Sequence, residues 1–94
     1  MIVGLLDVQI WLQGVNSLKE KRKIVKSLIG RLKSRFNISV AEVDRQDSKR
    51  QAVIGIAIVS NETRFVNKQL DSVIRFIRGD GRFHVGQIER EVFS

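Results

Sequence analysis

The side chains able to do acid–base, nucleophilic or metal chemistry are few. Cysteine is absent and His84 is the only histidine. Disulfides, thiolate nucleophiles, cysteine-ligated zinc or iron–sulfur sites and multi-histidine metal centres are thereby excluded. His84 alternates with apolar neighbours near the C-terminus and has no nucleophile beside it to activate, so it reads as a partly buried sheet residue rather than a catalyst. Glu42, Asp44 and Asp47 are close enough in sequence to suggest a hard cation. With Arg45, Lys49 and Arg50 among them, solvated acids in a turn are the plainer reading. There is no G-x-S-x-G, no P-loop lysine and no dinucleotide fingerprint. The expectation is a protein with no catalytic residue, no metal and no cofactor.

Positive charge is what the chain has in quantity. Seventeen Lys and Arg stand against ten Asp and Glu, a net charge of +7. Eight of those cations fall between Ser17 and Phe36, where Glu20 is the single acid. At helical spacing Lys19, Arg22, Lys23, Lys26 and Lys33 share one flank, beside the apolar stripe, while Lys21, Arg31 and Arg35 lie toward the other side. A row of this kind holds phosphate backbones by releasing condensed counterions. Those five residues are the expected nucleic-acid contacts, and RNA or a ribosomal particle the expected partner. Arg64, Lys68, Arg75 and Arg78 add charge further along, offset by Glu62 and Asp71. The competing reading is a solvated face that keeps the protein soluble.

The elements that must carry these residues are legible from periodicity. Ile2 to Leu12 alternates over eleven residues, which is a strand with one buried face. Ser17 followed by Glu20 has the form of a capping box. It opens a helix to about Phe36 whose stripe is Leu18, Val25, Leu28, Ile29, Leu32 and Phe36. Gly30 weakens that helix and is expected where another backbone comes close. Ile38 to Arg45 reads as a second strand with an undecided register: Ile38 and Val40 favour one face, Ala41 and Val43 the other. After a polar turn, Arg50 to Val59 is a strongly apolar third strand. Ser60-Asn61-Glu62 opens a second helix, which Gly79-Asp80-Gly81 ends. In the last strand, Arg82 to Phe93, strict alternation sets Phe83, Val85, Gln87, Glu89, Glu91 and Phe93 against His84, Gly86, Ile88, Arg90 and Val92.

The order β-α-β-β-α-β predicts one α+β domain over residues 1–94, a ferredoxin-like two-layer sandwich. Its sheet would be four-stranded and antiparallel, with the first and third strands central and both helices on one face. The other face is left open, with Val3, Leu5 and Trp11 on it, joined by Val53, Ala57 and Val59 or by the alternate set of that strand. An exposed apolar sheet calls for a cover. The third strand has no aromatic residue on which bases could stack, so a protein partner or a homodimer is the favoured use of this face. No apolar run approaches the about 20 residues of a membrane span. A basic n-region is also lacking. The expected setting is the cytoplasm, away from membranes.

Gln13-Gly14-Val15, between a strand and a basic helix, resembles the phosphate-cradling loop of acylphosphatases, which share this element order. Those enzymes place an Arg just after the tripeptide, where Asn16, Ser17 and Leu18 stand here. They also carry an Asn after the second strand, where this chain offers Asp44, Gln46 and Asp47. Acyl-phosphate hydrolysis is the least favoured reading. Three other stretches, Ser17-Leu18-Lys19-Glu20-Lys21-Arg22, Ser39-Val40-Ala41-Glu42-Val43 with Gln46-Asp47, and Val59-Ser60-Asn61, resemble in order and spacing the YlxP-like family of small bacterial proteins, a domain of unknown function. The resemblance implies a ferredoxin-like fold, no established activity, and a role around ribosome assembly or translation. The chemistry it leaves to Ser17, Lys19, Glu20, Lys21 and Arg22 is helix capping and positive charge.

Overall fold

The alternation of the first eleven apolar-rich residues is realised as β1, Ile2–Leu12, in a computed structural model that describes residues 1–94. Leu6, Val8, Ile10 and Leu12 point to one side and are buried, while Leu5, Asp7 and Trp11 point to the other. α1 follows at Leu18–Arg35, β2 at Ser39–Asp44, β3 at Gln51–Ser60, α2 at Thr63–Arg78 and β4 at Phe83–Phe93. The sheet is open and antiparallel, ordered β2-β3-β1-β4, so the two most apolar strands occupy its centre as predicted. The architecture is the ferredoxin-like α+β sandwich.

Local chemistry explains the helix boundaries. Ser17 Oγ accepts from Glu20 N at 3.1 Å, while Glu20 Oε2 accepts from Asn16 N at 3.3 Å, one residue earlier than a standard capping box. α2 starts without a side-chain cap on Glu62 and relies on its apolar stripe, Val66, Leu70, Val73 and Ile77, all fully buried. Gly4 lets that helix sit close to β1: a Cβ there would come within 2.5 Å of Val66 Cγ1.

One open register is settled and three sequence expectations change. Register in β2 resolves with Val40 and Glu42 inward, so a carboxylate occupies a core-side position. In β4 the alternation is interrupted by a bulge, because Val8 pairs with Ile88 but Ile10 pairs with Val85. Phe83 and Val85 therefore share the helix side with Ile88, Arg90 and Val92, which strict alternation had placed opposite them. Gln9 Oε1 accepts from Gln87 N at 3.3 Å, which satisfies an amide at the bulge. His84, expected to be partly buried, is exposed opposite Trp11. Gly30, expected against another backbone, is exposed, and a Cβ there would meet nothing within 4 Å.

Candidate nucleic-acid interface

The apolar stripe of α1 fixes where its cations go. Val25, Leu28 and Leu32 face the sheet, so Lys19, Arg22, Lys23, Lys26 and Lys33 are carried into solvent, and all five are exposed. None of the five forms an ion pair; the four ion pairs in the molecule use Lys21, Arg31, Arg82 and Arg90. Arg31 and Arg35 take the other flank, toward α2. Their guanidinium carbons stand 5.3 and 5.4 Å from the centre of the Phe76 ring, and Phe36 meets that ring edge-on. A shallow groove of about 630 Å³ runs there, lined by Ser27, Gly30, Arg31, Ser34, Arg35 and Phe76.

Lys21 departs from this pattern. Sequence periodicity had grouped it with the helix charge, yet its side chain is 0% exposed. It lies on the same stripe as Val25, Leu28 and Leu32, and its ammonium reaches across to the β2–β3 connection. There Nζ donates to Arg45 O at 2.6 Å and Gln46 O at 3.3 Å, and contacts Glu42 Oε2 at 2.8 Å. Burying a charge is tolerable only with this kind of pairing. Arg45 adopts φ 63°, in the left-handed region. Held this way, Arg45, Lys49 and Arg50, all exposed, belong to a connection tied to the first turns of α1. Sequence reasoning missed this extension. The available signal was a lone lysine at i, i+4, i+7 spacing with buried apolar residues.

At the far end of the helices, Asp80 gathers Arg82 and Arg31. Arg82 Nε and Nη2 donate to its two oxygens at 2.5 and 2.7 Å, and Arg31 Nη1 donates at 3.1 Å. The Arg82 hydrogen bond holds the Asp80 carboxyl below its ordinary value of 3.8, against the opposing effect of burial, and Arg82 is raised in turn. Arg82 Nη1 also donates to Ser27 Oγ at 3.2 Å, which ties this loop to α1.

The other sequence candidates do not assemble. Glu42 turns inward to Lys21 and Asp44 Oδ1 accepts from Arg45 N at 2.7 Å, so Glu42, Asp44 and Asp47 do not converge on a cation site. In the Gln13-Gly14-Val15 loop, Gly14 has φ 70°, and the Glu20 carboxylate already takes the neighbouring Asn16 amide. On the open face, Leu5 and Trp11 are 38% and 41% exposed, and Val3 is half-buried. No helix is long and apolar enough to cross a membrane.

Residues 3–90 match the family model described as a protein of unknown function, DUF503. The chain belongs to the DUF503 family. Consistent with DUF503 membership, it is 33% identical over 76 residues to the uncharacterized protein YlxP of Bacillus subtilis (strain 168), an alignment covering 81% of this chain and 83% of that one. Among solved structures, the de novo designed protein Foldit4 superposes on this DUF503 chain with a TM-score of 0.53, covering 99% of this chain and 96% of the other at 12% identity. At that identity the likeness concerns the fold alone.

Proposed function

We propose that this protein is a non-enzymatic, cytoplasmic RNA-binding protein that docks on RNA or a ribosomal particle through α1. The supporting observation is that Lys19, Arg22, Lys23, Lys26 and Lys33 are all exposed and all free of carboxylate partners. Unpaired cations keep their full attraction for phosphates, whereas paired ones must first give up a partner. The contacts are to the backbone, so they position RNA without reading its bases. Arg45, Lys49 and Arg50 extend the same surface from the latched β2–β3 connection.

The test is charge reversal at Arg22 and Lys26, measured as retention of ribosomal RNA at low salt. Both side chains are exposed on the helix, so R22E/K26E should keep the parent circular dichroism spectrum while binding RNA at least tenfold more weakly. Equal retention by parent and variant would remove α1 as the contact surface.

A further inference from the structure

The four strands contain one Lys or Arg between them, Arg90. Arg90 turns to the helix side, where it donates to Asp71 Oδ1 at 2.7 Å and to Asn67. The outward face of the sheet therefore has no Lys or Arg side chain, in a chain of net charge +7. It does have carboxylates. Asp7 stands directly opposite Glu89 across β1 and β4, and Glu91 is the next outward residue, paired with Leu5. None of the three forms an ion pair.

These acids border a concavity of about 520 Å³ on the open face. Its floor is low because Ala41, Gly55 and Ala57 are small; a Cβ on Gly55 would come within 2.7 Å of Val43 Cγ1. Leu5 and Val43 supply exposed apolar walls. Two like charges directly opposite each other cost stability. The arrangement is a local liability that a cationic occupant would relieve.

We infer that this concavity docks a segment of another protein in which Lys or Arg side chains stand beside aliphatic ones, the cations meeting Asp7, Glu89 and Glu91 and the aliphatic groups covering Leu5 and Val43. Nucleic acid is disfavoured because the carboxylates repel phosphates. A second copy placed face to face offers no Lys or Arg to these acids, since its outward sheet face has none either. A second copy docking its helix here would join head to tail, closing into a ring or propagating into filaments, and would sediment as such. This inference uses the surface opposite α1 and does not rest on the RNA reading.

The experiment is calorimetric titration of the full chain with a synthetic peptide that alternates lysine with valine. Saturable binding is expected, at least tenfold weaker in the D7N/E89Q/E91Q variant and unchanged in R22E/K26E. The triple variant removes like-charge repulsion at exposed positions, so its circular dichroism and melting temperature should be retained or raised. A matching peptide with glutamate in place of lysine should show no binding that D7N/E89Q/E91Q weakens. No binding of the lysine peptide, or equal binding by the triple variant, would overturn the inference. So would spermidine binding as tightly as the peptide, which would make a small polyamine the occupant. RNA binding that Leu5→Gln weakens, or a sedimenting dimer dispersed by Leu5→Glu, would overturn it in favour of RNA or a second copy.

Discussion

Lys21 Nζ and Glu42 Oε2 lie 2.8 Å apart, with the lysine side chain wholly excluded from water. The contact is an ion pair rather than an aligned hydrogen bond, and the ammonium's bonds go to the Arg45 and Gln46 carbonyls. One side chain thus fastens the β2–β3 connection to α1. Lys21→Met leaves a carboxylate without its counter-charge and two carbonyls without their donor, so it should lower unfolding free energy by about 3–5 kcal/mol. The check is urea denaturation of the single variants and of Lys21→Met/Glu42→Leu. The double variant should lose less than the sum of the singles, because removing both charges leaves neither stranded.

Salt dependence tests the phosphate contacts proposed for α1. The five α1 contacts to single-stranded RNA would contribute about −3.5 to the slope of log affinity against log salt, at about 0.7 per phosphate, with Arg45, Lys49 and Arg50 adding to it. Neutralising two of them, in R22Q/K26Q, should flatten the slope by about 1.4. Filter binding across a salt series measures both values, and a flat parent profile would exclude phosphate contacts.

Two glycines should respond in opposite directions to the same methyl group. Gly30 is an exposed mid-helix residue with open space around its Cα, so Gly30→Ala should stabilise by about 0.5–1 kcal/mol. Gly4 faces Val66 and Leu70, with Val66 Cγ1 2.5 Å from the site of an added Cβ. Gly4→Ala should cost about 1–3 kcal/mol by overpacking the β1–α2 interface. Thermal melts of the two variants decide this.

Asp80 should govern part of the acid limb of stability. Its carboxyl titrates below 3.8 when folded, because Arg82 and Arg31 favour the ionised form. A depressed carboxylate adds stability that is fully present above the unfolded value and is lost as pH falls through the folded one. Asp80→Asn should therefore be less stable than the parent at neutral pH, by about 1–3 kcal/mol. The gap should close as pH drops below 3.8, which denaturant titrations at several pH values would trace.

The fold was legible because its strongest signals are local. Eleven alternating residues in β1 and the Val66–Leu70–Val73–Ile77 stripe of α2 each leave one arrangement that buries their apolar side chains. What escaped depends on contacts between distant segments. Apolar residues alone gave β2 no register, because the residue that settles it is Glu42, whose reason for pointing inward lies 21 positions earlier in Lys21. The β4 bulge needs the Gln9 side chain on a neighbouring strand to receive the Gln87 amide. The five flank cations could be named from helical spacing, but whether carboxylates neutralise them depends on where Asp71 and Asp80 fall in space. Those two acids are taken by Arg90, Arg82 and Arg31.

Strands holding a single cation, with that one turned inward, make the molecule electrically lopsided. A polyanion's field acts as a torque as well as an attraction, so approach turns the helices forward before contact. A protein docked in the proposed way would present its sheet outward, away from the surface it had settled on. Whatever meets that exposed side would find it already aimed.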